Sequence, residues 1–245
     1  MIQMHARLML YLHTLRHLKS SQVFHRLKRR FFPKSASQVE LQQKRPEISA
    51  HSPLFYKPDA FYKDRTFKFL NLSRTFATQI DWEARGMEKL WSYNLHYFDY
   101  LIGQALIKNE TLSNDLLENW VDHNPPGLGT GWEPYPTSLR LVNVIKSLLS
   151  GNQFSDKVLT SMCTSAEWLH DNLEKDILGN HYFENGKALL FAGTYFQGPL
   201  ADKWFSTGMQ ILESELAEQV LADGAHFELS PMYHTIIMSI ATWLH

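Results

Sequence analysis

The 245-residue chain has a single cysteine, Cys163. That excludes an internal disulfide and every zinc motif built on several cysteines. It also lacks a long apolar run. Leu8 to Leu12 is the longest near the start, far short of the ~20 residues that span a bilayer. No small-residue cleavage site follows it, so no leader peptide is legible and the cytoplasm is the expected compartment. Acidic residues are missing before Glu40, whereas Arg7, Arg16, Lys19, Arg26, Lys28, Arg29, Arg30 and Lys34 all precede it. The remainder carries sixteen Lys and Arg against 25 Asp and Glu. A basic arm therefore precedes an acidic body. Such an arm is either a solvated helix face or a weak contact for an anionic membrane surface or polyanion. It carries no nucleic-acid recognition motif, and the acidic body argues against a nucleic-acid partner.

Aromatic residues are plentiful, with 7 Trp, 10 Tyr and 15 Phe in a chain that is 44% hydrophobic. This supports a sizeable core and also suits clefts in which sugars stack. Met4 to about Arg30 reads as amphipathic helix, and residues 33–65 as a polar connector punctuated by Pro33, Pro46, Pro53 and Pro58. Short strands are expected within Phe67 to Ile80, Phe67-Lys68-Phe69-Leu70 being the clearest. From Trp91 onward helical periodicity dominates. Tyr93, Tyr97, Tyr100, Leu101 and Ala105 share one face, and Leu159, Met162, Cys163, Ala166, Leu169 and Leu173 share another. Pro136 can open a helix, Gly179 can cap one, and Lys187 to Phe196 is apolar nearly all round. The expected fold is all-α in the main: antiparallel helical hairpins wound into an α/α toroid. The expected units are residues 1–65, helices plus connector, and residues 66–245, the toroid. Ile236, Ile237, Ile240, Ala241 and Leu244 near the end need an apolar partner, so the chain reads as part of a longer protein.

Three segments can carry chemistry. In Gly131-Trp132-Glu133-Pro134-Tyr135-Pro136-Thr137-Ser138-Leu139-Arg140, Trp132 and Tyr135 can serve as sugar platforms and Arg140 as a carboxylate or sulfate clamp. Equally, the aromatics can cap the core and Arg140 can pair with an internal acid. In Gly179-Asn180-His181-Tyr182-Phe183-Glu184-Asn185, a helix would place His181, Glu184 and Asn185 on one face. The alternative there is a helix start with a surface ion pair. No third ligand completes a metal site with His181 and Glu184. In Glu228-Leu229-Ser230-Pro231-Met232-Tyr233-His234, Ser230 caps and Pro231 opens a helix, placing Tyr233 in its first turn. Free N–H groups there favour a phenolate and an anionic ligand. Tyr233 and His234 could share proton transfer, with His226 and Glu228 as structural partners.

With Trp91-Ser92-Tyr93-Asn94-Leu95-His96-Tyr97, these segments resemble the heparinase II/III-type polysaccharide lyases and related alginate lyases over about residues 90–240. The resemblance implies a helical toroid followed by a β-sandwich that is absent here. It implies β-elimination at a uronic acid of an acidic polysaccharide. Asn180 or His181 would neutralise the uronate carboxylate, and Tyr233 would act as base, acid or both. Glu184 would orient His181, and His234 would support Tyr233. No cofactor is implied in this chain; a structural metal, where the family has one, belongs to the sandwich domain. Relatives are often exported to the periplasm. Two other functions fit the same residues: non-catalytic carbohydrate binding in surface-polysaccharide biosynthesis, and glycoside hydrolysis on a similar toroid, with Glu133, Glu184, Glu228 and Asp223 as candidate acids.

Overall fold

The computed structural model describes residues 20–31, 35–48, 60–62, 64–103, 106, 109–232, 234, 235 and 238. Among them are seven α-helices: α1 (Ser20–Phe31), α2 (Lys89–Tyr97), α3 (Glu110–His123), α4 (Pro134–Leu149), α5 (Asp156–Asp171), α6 (Gly179–Tyr195) and α7 (Pro199–Gln219). Three short antiparallel strands, β1 (Phe61–Tyr62), β2 (Thr66–Phe69) and β3 (Leu72–Thr75), precede α2. The expected strand at 67–70 is β2 shifted by one residue. Leu70 and Asn71 both take positive φ, 53° and 63°, and make the two-residue turn into β3. Phe67 and Phe69 of β2 turn inward against Tyr100 and Trp91.

Local chemistry sets the helix boundaries. The Asn109 side chain caps α3 by accepting from Leu112 N–H at 3.2 Å. Pro134 and Pro199 occupy the first turns of α4 and α7, where a missing N–H costs nothing. The expected helix at Pro136 thus begins two residues earlier. Gly179 does not cap α5, which ends at Asp171; with φ +58° it opens α6.

The helices form two layers. α2, α4 and α6 pack in series, as do α3, α5 and α7, while chain neighbours α4–α5, α5–α6 and α6–α7 pack across the layers. This is the arrangement of consecutive helical hairpins. The α6–α7 pair is antiparallel and unusually close. A Cβ on Gly186 would lie 2.6 Å from Ile211 Cγ2; one on Gly193 would lie 2.6 Å from Ala201 O; one on Gly208 would lie 2.6 Å from Leu190 N. Only glycine allows the two backbones to touch there. Trp91, Trp120, Trp132 and Trp204 are all fully buried, which places the aromatic excess largely in the core.

Residues 35–48 form an extended strap across α5 and α6. Val39 N–H donates to Thr164 Oγ1, Arg45 N–H to Tyr195 O, and Gln197 N–H to Gln43 O. At the other end of the chain, His226 bridges back to Val220, and a helical turn begins at Pro231, where His234 N–H donates to Ser230 O. Ala105, Tyr233 and the apolar positions at Ile236, Ile237, Ile240, Ala241 and Leu244 lie outside the described residues, as do residues 1–19 of the basic arm. No helix among the described residues is long and apolar enough to cross a membrane.

Candidate active site

The N-termini of α4 and α6 meet. Asn180 and His181 sit in the first turn of α6, where backbone N–H groups lack helical partners. Tyr135 sits in the first turn of α4. Its ring lies 4.3 Å from the His181 imidazole, centroid to centroid, tilted by 32°. Tyr97 packs edge-on against Tyr135 at 6.0 Å, and Tyr93 follows at 6.3 Å from Tyr97. At the outer end, the Tyr93 hydroxyl donates to Glu133, which also pairs with Lys89 at 3.0 Å. Burial first, and then the neighbouring Tyr135, Tyr93, Asp99 and Glu184, push the Tyr97 phenol far above its ordinary range. Tyr97 is therefore a neutral phenol packed behind Tyr135.

Glu174 closes the inner side. Its Oε1 lies 3.1 Å from His181 Nδ1, and its Oε2 accepts from Asn185 Nδ2 at 3.1 Å. Asn185 Oδ1 accepts in turn from the Glu174 backbone N–H at 2.8 Å, and its Nδ2 also donates to Ser138 Oγ at 3.0 Å. The loop between Glu174 and α6 ends in a strained residue, Leu178, at φ +63° and ψ −162°. Such backbone costs about 1–3 kcal/mol in a non-glycine residue and clusters at functional sites.

The arrangement differs from the sequence reading at three residues. Glu184 does not orient His181. It turns into the protein, 3% exposed, and pairs with Lys187 one turn along at 2.6 Å. Glu174, which precedes the helix and which sequence spacing does not flag, faces His181 instead. Arg140 and Trp132 belong to the core, being 0% and 2% exposed. The Arg140 guanidinium lies 3.9 Å over the Trp120 ring and donates to Gly131 O at 2.6 Å. Nor does it pair with an internal acid: among the described residues no carboxylate meets it. Burial pushes it down to about 9, so it remains charged at neutral pH. Gly131 is obligatory beneath it, since a Cβ there would lie 2.6 Å from His96 Nδ1. Two of the resemblance motifs, Trp91–Tyr97 and Gly131–Arg140, thus meet in the core around His96, Trp120 and Arg140. The first contributes Tyr93 and Tyr97 to the tyrosine row beside His181, and the second contributes Tyr135.

His234 is exposed on the turn that starts at Pro231, and Tyr233 itself is outside the described residues. The turn is held by buried groups. His226 Nδ1 accepts from Glu228 N–H, so its Nε2–H donates to Gln219 Oε1 at 3.2 Å, and Gln219 donates to Glu215 at 2.7 Å. Among the described residues no group of three or more His, Cys, Asp or Glu is arranged to hold a metal ion. Chemically, the cleft offers two helix N-termini, an amide, an imidazole backed by a carboxylate, and a wall of tyrosines. That set suits an anionic, ring-shaped ligand.

Three heparin-sulfate lyases resemble the chain. That of Pedobacter heparinus is 28% identical over 179 residues, covering 65% of the chain and 27% of the relative. That of Bacteroides thetaiotaomicron is 27% identical over 207 residues, covering 73% and 28%. That of Bacteroides stercoris is 24% identical over 151 residues, covering 59% and 23%. The chain therefore spans about a quarter of the length of these relatives. The crystal structure of heparan sulfate lyase HepC from Pedobacter heparinus shares the fold with a TM-score of 0.54 at 23% identity, over 91% of this chain and 38% of that one. The family model described as Heparinase II/III N-terminus matches residues 5–244, and the chain belongs to that family.

Proposed function

We propose that the chain is the N-terminal helical domain of a polysaccharide lyase that cleaves a uronate-containing chain by β-elimination. The observation that carries this is Asn180 and His181 at the start of α6, set against Tyr135 at the start of α4. A heparin- or heparan sulfate-like substrate is favoured over an alginate-like one, because the similar curated proteins are named heparin-sulfate lyases. In this reading a uronate carboxylate sits between the two helix starts, where the Asn180 amide and His181 offset its charge. Neutralising it acidifies the C5 proton. Tyr233 takes that proton. The freed electron pair forms the C4=C5 double bond, the C4–O bond breaks, and the leaving oxygen receives a proton. Tyr135 supports the sugar face. His234 assists from beside Tyr233. Proton transfer by a positioned side chain contributes typically ~10²–10⁴-fold, and preorganised donors at the developing enolate a comparable amount.

Incubation with heparan sulfate and other uronate polymers should produce the ultraviolet absorbance of an unsaturated uronate. Products with saturated ends would instead establish hydrolysis, and tight binding without turnover would establish a binding protein. Tyr233→Phe should abolish turnover and leave oligosaccharide affinity nearly unchanged; full activity in that variant would refute its role.

A second surface accompanies the cleft. α1 exposes Phe24, Leu27 and Phe31 at 62%, 52% and 69% on one side, with Arg26 and Lys28 exposed beside them. That pattern supports a weak contact with an anionic membrane surface.

A further inference from the structure

The hydrogen bonds behind His181 have one consistent set of directions from Pro134 through Ser138 and Asn185 to Glu174 Oε2. The Glu174 backbone N–H can only donate, so the Asn185 atom facing it at 2.8 Å must be the carbonyl oxygen. The other end of that amide is then the NH₂ group, which donates to Glu174 Oε2 and to Ser138 Oγ. The Ser138 hydroxyl is free to accept because its own proton goes to Pro134 O at 2.9 Å. Glu174 is therefore an acceptor at Oε2. With Glu174 as the carboxylate, its Oε1, 3.1 Å from His181 Nδ1, accepts as well, which places the ring proton on Nδ1. The Glu174 side chain is 5% exposed and that of His181 30% exposed, so the carboxylate is the buried backing and the imidazole the open face. Tyr135 lies over the ring, 4.3 Å from it between centroids.

We propose that Glu174 is the positioning residue of His181: it locks the imidazole as the Nδ1–H tautomer and leaves Nε2 as the nitrogen presented to substrate. The tautomer assignment stands on the hydrogen bonds with Glu174 as a carboxylate, while the word substrate rests on the lyase reading above. Glu174 touches no substrate itself. Its two oxygens are committed to His181 and Asn185, and it acts only through the ring. The Nε2 lone pair can accept from a sugar hydroxyl, and once protonated Nε2 can donate to a uronate carboxylate. A ring free to flip would present either nitrogen and lose that selectivity.

The direct test is ¹⁵N NMR of the His181 ring in the unmodified protein at a pH where the imidazole is neutral. A protonated Nδ1 with a bare Nε2 is expected; a protonated Nε2 overturns the proposal without any variant. In Glu174→Gln the signature should become mixed, and turnover of heparan sulfate should lose ~10²-fold in kcat with KM within about twofold. Glu174→Asp, which keeps the charge on a shorter stem, should recover part of that loss and checks the case in which the glutamine variant folds poorly. An unchanged tautomer in Glu174→Gln, or a mixed tautomer with undiminished kcat, refutes the positioning role. Protein that turns over no uronate polymer while showing the Nδ1–H signature refutes the lyase reading and leaves the locked imidazole standing.

Discussion

Tyr135 and His181 stand face to face at the meeting of two helix starts, their ring centroids 4.3 Å apart. One opens α4 and the other opens α6, so the contact exists only when both helices are docked. Tyr135→Ala should lower kcat/KM on heparan sulfate by about tenfold, the worth of one aromatic contact. Tyr135→Phe, which keeps the ring, should be close to unchanged. Steady-state kinetics of the two variants checks this.

Asn180 carries a different burden. Its amide is proposed to meet the uronate carboxylate as charge moves onto it. Asn180→Ala should therefore act on kcat, by ~10²–10³-fold, with little effect on KM. A KM effect alone would assign Asn180 to ground-state binding.

Arg140 should behave as a core residue. Arg140→Lys loses the flat stack over Trp120 and the short bond to Gly131 O, and should cost about 2–3 kcal/mol of stability. Thermal denaturation should show the loss, and KM for polysaccharide should stay where it was. A raised KM at unchanged stability would return Arg140 to the ligand.

The glycine seam between α6 and α7 gives a steric prediction. A Cβ at Gly193 or Gly208 would press on backbone of the facing helix, which cannot step aside. Either glycine to alanine change should destabilise by about 2–3 kcal/mol despite alanine's better helix propensity. Gly224→Ala meets no such neighbour; its cost comes only from its φ of +86°. Chemical denaturation of the three variants separates crowding from backbone strain.

His96 predicts a pH dependence. Burial first, then the charge of Arg140, hold its imidazole down to about 3, against 6.5 in an unfolded chain. Between those values the unfolded chain binds a proton that the folded chain does not. Stability from this group is therefore complete above pH 6.5 and is lost as pH falls toward about 3, by up to ~1.4 kcal/mol per pH unit. His96→Asn, whose oxygen can still accept from the Trp120 indole, should flatten the slope by about one proton across that window. An unchanged slope would show that His96 is not the group responsible.

Helices such as α5 were legible because 3.6-residue periodicity reports a buried stripe: Met162, Cys163, Ala166 and Leu169 are buried as expected, though Leu159 is only half-buried and Leu173 lies beyond the helix end. The stripe from Tyr93 to Leu101 is not one helix face, because Phe98 at φ 55° ends α2 and a 3₁₀ turn carries Tyr100 and Leu101. Helix starts were less so: Pro134 and Pro136 are both competent openers, and only packing chooses between them. The same limit hid Glu174. It lies in a turn, outside any periodic pattern, and reaches His181 because Leu178 and Gly179 bend the chain through two positive φ angles in succession. Glu184, at helical spacing from His181, drew attention by local geometry, yet Lys187 at the same spacing on its other side holds it in the core. Arg140 was misleading for a related reason. A guanidinium is usually placed by its charge, whereas here indole faces and a backbone carbonyl hold it.

The turn that carries Glu174 is also where α1 is fastened. Gln22 of α1 donates to the carbonyls of Asp176 and Ile177 at 3.3 Å each, and Arg26 approaches Asp176 at 4.0 Å. α1 is thus moored to the same turn that supports the imidazole. One short loop thereby serves two ends of the sequence at once, holding the N-terminal helix by its carbonyls and presenting a carboxylate to the imidazole a few residues later.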